Sequence, residues 1–318
     1  MATDSASGGC SSFLEFLDIS VALAKDWAHL KKWWGWVLPA GLWIGLFGLY
    51  PMVQAVVRSG WGEEANTLTW VGLTYYQQAW RDPSWGRATL NSLIWVITAV
   101  PLEISLGLGL GWLLHHNLWG MRWLRALLLS PLLVSSVVTA LIWKLFYHPD
   151  LGLLSLALRP VGIPIGQGLT AEPSTALLAL LVVDIWQWTP LVAITMWAGL
   201  SRQDLHLLEA AQLEGANDCQ IFLGVSLPLL RPLLDWVILL RTLEAFKVFE
   251  PVLLITGGGP GNATEVLHHY IFKVGLVFFD LGYASALSVL FGLLIAGVAS
   301  LLVGLLHPPA PYRESIEP

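Results

Sequence analysis

Four charged side chains stand three residues apart in the stretch RTLEAFKVFE: Arg241, Glu244, Lys247 and Glu250. On a helix, residues at i and i+3 share a face. Three is less than 3.6, so such a row drifts around the axis. The signs alternate, which lets the row neutralise part of its own charge. Two chemistries fit it. Ionisable groups at membrane depth are costly and face a bundle interior or a water-filled cavity. There, Arg241 and Glu244 would offer a donor and an acceptor to the hydroxyls of a polyhydroxylated molecule. The same row also suits a structural ladder of ion pairs near a membrane interface. Upstream, Asp184, Trp186, Gln187 and Trp188 crowd into DIWQW. A carboxylate and an amide hydrogen-bond hydroxyls, and aromatic faces stack on the C–H face of a sugar ring. The alternative for these tryptophans is a lipid-facing belt.

Other reactive residue types point to no catalysis. His115–His116 and His268–His269 are tandem pairs. Adjacent helical residues project about 100° apart, so neither pair makes a good metal site, and interfacial surface histidines are expected. Glu103 and Lys144 sit inside apolar stretches, where structural pairing and function are equally open. TGGGPGN is glycine-rich, but no Gly-Lys pair occurs anywhere in the chain. A phosphate-cradling loop requires that lysine after a strand, so the stretch reads as an external turn and the chain hydrolyses no nucleotide. Cys10 and Cys219 have no metal-ligand spacing and are expected to be free thiols.

The elements that carry these residues are set by composition. Of 318 residues, 56% are hydrophobic and 12% charged, against roughly 25% charged in soluble domains. Such a chain cannot build a polar shell, so it reads as an all-α integral membrane protein. A net charge of -6 with no basic block excludes nucleic acid as a partner. The 18 tryptophans suit two interfacial belts. The N-terminus lacks a basic region and carries Asp4, Glu15, Asp18 and Asp26, unlike a signal peptide. Phe13, Phe16, Leu17, Ser20 and Leu23 fall near helical spacing, which suits a surface-lying amphipathic helix or a flexible tail with a chance pattern. Six stretches meet the length of about 20 apolar residues that a span needs: 34–57, 88–114, 124–147, 175–200, 225–256 and 282–306. Pro101, Pro131, Pro190 and Pro232 lie inside or near their ends, which membrane helices tolerate. No internal repeat is visible. Residues 1–33 and 307–318 are then terminal segments around one membrane domain, 34–306.

Orientation is nearly undecided by charge. With the N-terminus inside, eight Lys and Arg fall on inner segments and six on outer ones, a slight positive-inside bias. A second argument comes from the polar island EAAQLEGANDCQIFLGVSLP at 209–228. Alanines allow close backbone approach and Gly215 can end a helix sharply, so a short helix over 205–214 followed by a second one is expected.

EAAQLEGAND followed by IFLGVSLP resembles the EAA loop of binding-protein-dependent ABC importer permeases. Glu209, Ala210, Ala211, Gly215, Leu227 and Pro228 fill the pattern, and Glu214 stands where aspartate is more usual. VGLTYYQQAW, YHPDLGLLS, ALLALLVVDIWQWTPLVAI, TGGGPGNATE and FFDLGYASALSVL support the likeness over most of 33–306. Together they are similar to the sugar-permease branch, in particular the larger subunit of maltose, glycerol-phosphate and trehalose systems. The resemblance implies the type I importer permease fold: about six spans and a cytoplasmic coupling loop. It implies that Glu209, Ala210, Ala211, Glu214 and Gly215 dock on an ATPase. It implies a substrate path near Ser136, Asp184, Gln187, Trp188, Arg241 and Glu244, although most of these residue types differ from the maltose system. The implied partners are a second homologous permease, two ATP-binding subunits that hold ATP and Mg, an extracytoplasmic solute-binding protein, a sugar-like substrate and the lipid bilayer. No cofactor is implied in this chain. The implied location is a bacterial or archaeal plasma (inner) membrane with both termini cytoplasmic. There the sequon Asn262-Ala-Thr264 has no role. The alternative from a different class is an autonomous secondary transporter or channel.

Overall fold

The computed structural model describes residues 38–64, 67–116, 120–158 and 168–306. The expected amphipathic helix near 13–23, Cys10 and the tail 307–318 lie outside the described residues. The chain divides into two units, Met1–Arg58 and Ser59–Pro318. In the first, Leu38–Arg58 forms α1, with a π-helical turn at Gly45–Leu49. Leu42, Trp43 and Phe47 are exposed on it, as lipid-facing side chains are.

The second unit begins with an antiparallel hairpin, β1 (Trp61–Glu64) and β2 (Thr67–Trp70), in which Trp61 pairs with Trp70. Helices follow: α2 (Thr74–Arg81), α3 (Pro83–His115), α4 (Met121–Leu133), α5 (Ser136–Phe146) and α6 (Leu153–Leu158). Then come α7 (Pro173–Leu200), α8 (Leu205–Leu213), α9 (Asp218–Phe246), α10 (Leu267–Phe272) and α11 (Leu281–Leu306). Asp82 starts α3 by accepting a hydrogen bond from the Ser84 N–H at 2.9 Å, and Pro83 at the first position needs no such acceptor.

Among the described residues, five helices are long and apolar enough to cross a membrane, α1, α3, α7, α9 and α11, or six spans if the bent pair α4 and α5 counts as one. The five helices coincide with five of the six stretches expected from sequence. The third stretch, 124–147, differs. It is two helices, α4 and α5, bent by 102°. Val134 and Ser135 are extended at the break, and the Ser135 side chain caps α5 at the Val138 N–H. The fifth also departs from expectation, because α9 stops at Phe246 rather than running to 256. Pro251 lacks an N–H and restricts the residue before it, so it opens a new turn leading into the π-helical Val252–Thr256.

The pair α3 and α7 forms the centre of the bundle. Gly107 and Gly111, four residues apart on one face of α3, let the two backbones approach. A Cβ at Gly107 would stand 2.5 Å from Val192 Cβ, and one at Gly111 would stand 2.8 Å from the Ala193 carbonyl oxygen and Met196 Cβ. This is the small-xxx-small packing of membrane helices. Around it, Trp95, Val96, Ala99, Leu180, Phe246 and Val252 form a buried cluster that ties α3, α7 and α9 together. The loops alternate between two ends. The hairpin, α2 and the 257–266 loop share one end, the hairpin end. The segment carrying α8 lies at the other, beside the ends of α3 and α7.

Candidate functional site

The only buried cation paired with two carboxylates among the described residues is Arg241, on α9, with a side chain 1% exposed. It does not pair along its own helix, as the spacing of three suggested. Its Nε donates to Glu103 Oε2 at 2.6 Å and its Nη2 to Glu103 Oε1 at 2.8 Å, a bidentate contact across to α3. The same Nη2 donates to Asp184 Oδ2 on α7 at 3.4 Å. The Trp188 ring covers the guanidinium face at 4.4 Å. Nη1 is buried with no hydrogen-bond partner among the described residues. Packing at Gly107 and Gly111 holds α3 close enough for Glu103 to reach. Bidentate charge-assisted bonds are the strong kind, and they explain why Arg241 turns inward. The self-neutralising row is therefore corrected: only its middle forms, where Lys247 donates to Glu244 at 2.6 Å. Lys247 caps the end of α9, so Glu250 lies beyond the helix.

Ser136 joins this level through the break in the third stretch. The Gln187 amide donates to Ser136 Oγ and to the Val134 carbonyl, both at 3.4 Å. A straight helix over 124–147 would leave no free carbonyl at Val134. Five of the six expected path residues thus lie together: Ser136, Asp184, Gln187, Trp188 and Arg241. Glu244 stands one turn further along α9, half-exposed, with its charge matched by Lys247. Glu103 is the member that sequence reading left open between pairing and function. A lone carboxylate inside an apolar stretch demands a partner, and that was the signal available.

At the opposite end from the hairpin, α8 starts at Asp204, whose side chain accepts from the His206 N–H. It ends at Gly215, which has φ +88. The Ala216 N–H returns to the Ala211 carbonyl and the Gly215 N–H to Gln212, which closes the last turn. Asn217 and Gln220 then form a reciprocal capping box that opens α9. Glu209, Ala210, Glu214 and Gly215 are exposed, and Ala211 is half-buried. Leu205, Leu207 and Leu213 are also exposed, at 67%, 51% and 89%. A cleft of about 310 Å³, lined by Trp112, His115, Gln212, Asp218 and Phe222 among others, separates this segment from the ends of α3 and α7.

At the hairpin end, the 257–266 loop is pinned to α3. Asn91 Nδ2 donates to the Asn262 and Glu265 carbonyls, and the Ser92 hydroxyl accepts from the Leu267 N–H. The Glu265 side chain, 1% exposed, pairs with His269 Nδ1 and with Lys273 Nζ at 2.6 Å. Burial pushes the Glu265 carboxyl up, but the bonds from His269 and Lys273 outweigh it and hold the group below its ordinary value. Asp82 behaves alike: burial raises it, and the Tyr270 and Tyr283 hydroxyls bring it down overall. The expectation of surface histidines is corrected here, because His269 is 3% exposed and hydrogen-bonded to Glu265. Its i−4 neighbour Glu265 needs a cation once buried. No group of three or more potential metal ligands occurs among the described residues.

No family model matches the chain. A probable ABC transporter permease protein of Sinorhizobium fredii is 31% identical over 257 residues, covering 80% of this chain and 82% of the relative. A trehalose/maltose transport system permease protein of Thermococcus litoralis is 33% identical over 223 residues, covering 69% of this chain and 74% of that one. A solved bacterial alginate ABC transporter, in complex with an alginate pentasaccharide-bound periplasmic protein, has a chain that superposes with a TM-score of 0.72 at 20% identity, over 88% of this chain and 95% of that one. The last likeness shows the fold; the first two show the family. By these two relatives, 31% and 33% identical over most of its length, the chain belongs to the ABC transporter permeases, in their sugar-permease branch.

Proposed function

We propose that this chain is the membrane-spanning subunit of an ATP-driven importer for a sugar or sugar-like polyol, of the disaccharide, glucoside or glycerol-phosphate class. An extracytoplasmic solute-binding protein delivers the substrate, and a second homologous permease completes the path. Two ATPase subunits hold ATP and Mg and receive the 205–221 segment. Both termini then lie in the cytoplasm. The observation that carries this reading is the exposed helix and turn of α8 and Gly215, at one end of a bundle whose polar residues meet at its centre. Closure of the ATPase pair would draw the docked segments together and turn the spans between inward-open and outward-open states. Glu209 would pair with a basic residue of the ATPase. Its only ion-pair neighbour among the described residues is His206 at 4.0 Å, so its charge is available.

Substrate would pass Ser136, Asp184, Gln187, Trp188, Arg241 and Glu244. The Gln187–Ser136 and Arg241–Asp184 hydrogen bonds and the Trp188 ring over Arg241 support that placement. The test is co-purification and uptake in Glu209→Lys and Gly215→Pro variants. Both should insert into the membrane, yet lose the ATPase subunits or uncouple hydrolysis from uptake. Normal ATP-coupled uptake in both would refute the docking role.

A further inference from the structure

The charge balance around Arg241 bears on which polyhydroxylated molecules the site takes. Among the six proposed path residues Arg241 is the single cation. A free buried guanidinium would favour a carboxylate, sulfonate or phosphate, because its fork binds such groups bidentately. Here the fork is already filled. The Nε–Nη2 edge holds Glu103 at 2.6 and 2.8 Å, Nη2 is shared with Asp184 at 3.4 Å, and Trp188 covers a face. Two carboxylates surround one guanidinium. With both ionised the cluster carries one negative charge; with one protonated it carries none. In neither case does it offer uncompensated positive charge. The second acid–base pair, Glu244 with Lys247, is matched within itself at 2.6 Å.

What remains unused is Arg241 Nη1, buried and unpartnered. It suits a neutral acceptor such as a hydroxyl or a ring oxygen. An anionic substrate would have to shed its hydration beside two carboxylates, and the six proposed path residues hold no second cation to compensate it. We propose that this site selects uncharged sugars or polyols and discriminates against anionic ones, with Glu103 as the positioning residue that sets the discrimination through Arg241. Glu103 does not touch the substrate; it occupies the charge that would otherwise attract an acid. This rests on the substrate path proposed above, and it removes the phosphate-bearing member of the class named there.

The test uses the complex of the chain with its partner permease and ATPase subunits, purified without the binding protein so that delivery does not set the preference. Equilibrium binding is measured for radiolabelled trehalose and maltose and for their mono-uronic acids, which match them in size. The wild type should bind a neutral sugar at least tenfold more tightly than its acid. Glu103→Gln keeps the shape and an oxygen acceptor for Arg241 but removes a charge, so the ratio should fall toward one. Glu103→Gln with Asp184→Asn frees the guanidinium charge and should invert the ratio. A Glu103 with a merely structural role would lower both affinities and leave their ratio alone. Should Glu103→Gln fail to assemble, Asp184→Asn is read in the same way. Equal binding of acid and sugar by the wild type, or an unchanged ratio in assembled variants, overturns the selectivity. Absence of binding and of uptake for every sugar and acid overturns the sugar reading itself, and the selectivity with it.

Discussion

Arg241 and Lys247 sit six residues apart and show how depth decides what a charge contributes. Arg241 is buried against two carboxylates, whereas the Lys247 and Glu244 side chains are 49% and 35% exposed. Removing one member of a buried network strands the rest, at a cost of about 3–5 kcal/mol. Removing one member of an exposed pair costs about 1 kcal/mol or less. Arg241→Ala should therefore sharply lower the unfolding temperature of the complex in detergent, and Lys247→Ala should barely move it. Comparable shifts for the two would mean that the Arg241 network is solvated. Glu265 gives a pH-dependent counterpart. Its carboxyl is held below the ordinary 4.5 by His269 and Lys273 despite burial. A depressed folded value means that the ionised form adds stability above about pH 4.5, and that this contribution is lost as pH falls through the folded value. The stability gap between wild type and Glu265→Gln should be full at pH 7 and narrow between pH 5 and pH 3, read by thermal unfolding across that range; a gap that widens on acidification would reverse the assignment. At this scale the sequence showed which residues were unusual but not their partners. Arg241, Asp184 and Gln187 were legible as polar groups in apolar stretches, while the link from Arg241 to Glu103 spans 138 positions and depends on how α3 and α7 pack.

That packing is a property of elements, and glycine controls it. Gly107, Gly109 and Gly111 are alike in sequence spacing, but a Cβ at Gly109 meets nothing within 4 Å, while one at Gly107 or Gly111 meets α7 at 2.5 to 2.8 Å. Helix propensity changes equally at all three sites, so only the contact differs. Gly111→Val should destabilise by about 1–3 kcal/mol through overpacking, and Gly109→Val should be near neutral, by thermal unfolding of the detergent-purified complex. Equal effects would show that the α3–α7 approach is looser than described. Gly215 is constrained otherwise: nothing crowds it, but its φ is +88. A branched residue there pays roughly 1–2 kcal/mol for a left-handed conformation, whereas asparagine tolerates it. Gly215→Val should weaken ATP-coupled uptake while Gly215→Asn retains most of it. The helix–glycine–helix course over 205–221 was readable because caps are local. The break at Val134–Ser135 was not, since TM-length apolar runs look alike whether straight or bent, and only the capping by Ser135 and the Gln187 contact distinguish them.

At the scale of the molecule, surfaces without partners matter as much as those with them. Helix α11 is apolar along its length, and its buried residues, Tyr283, Ala284, Ala286 and Leu287, all lie in its first turns. The α8 segment presents leucines to solvent beside Glu209. Lipid satisfies the first surface; at a membrane's aqueous face, only another protein removes the second from water. The chain also contains no Gly-Lys pair with which to hold a nucleotide phosphate. On the proposed reading, the driving force comes from separate ATPase subunits through the exposed α8 segment. Reconstituted alone in liposomes, the chain should therefore move no sugar above the empty-vesicle background, with or without a proton or sodium gradient. Adding the second permease, both ATPase subunits, the binding protein and ATP should produce uptake against a concentration gradient. Vanadate, which arrests ATP hydrolysis, should abolish that uptake, and a Glu209→Lys chain should fail to restore it although it inserts normally. Gradient-driven uptake by the chain alone would mean that the polar cluster around Arg241 works as an autonomous carrier, and that the exposed α8 segment serves some contact other than the delivery of work.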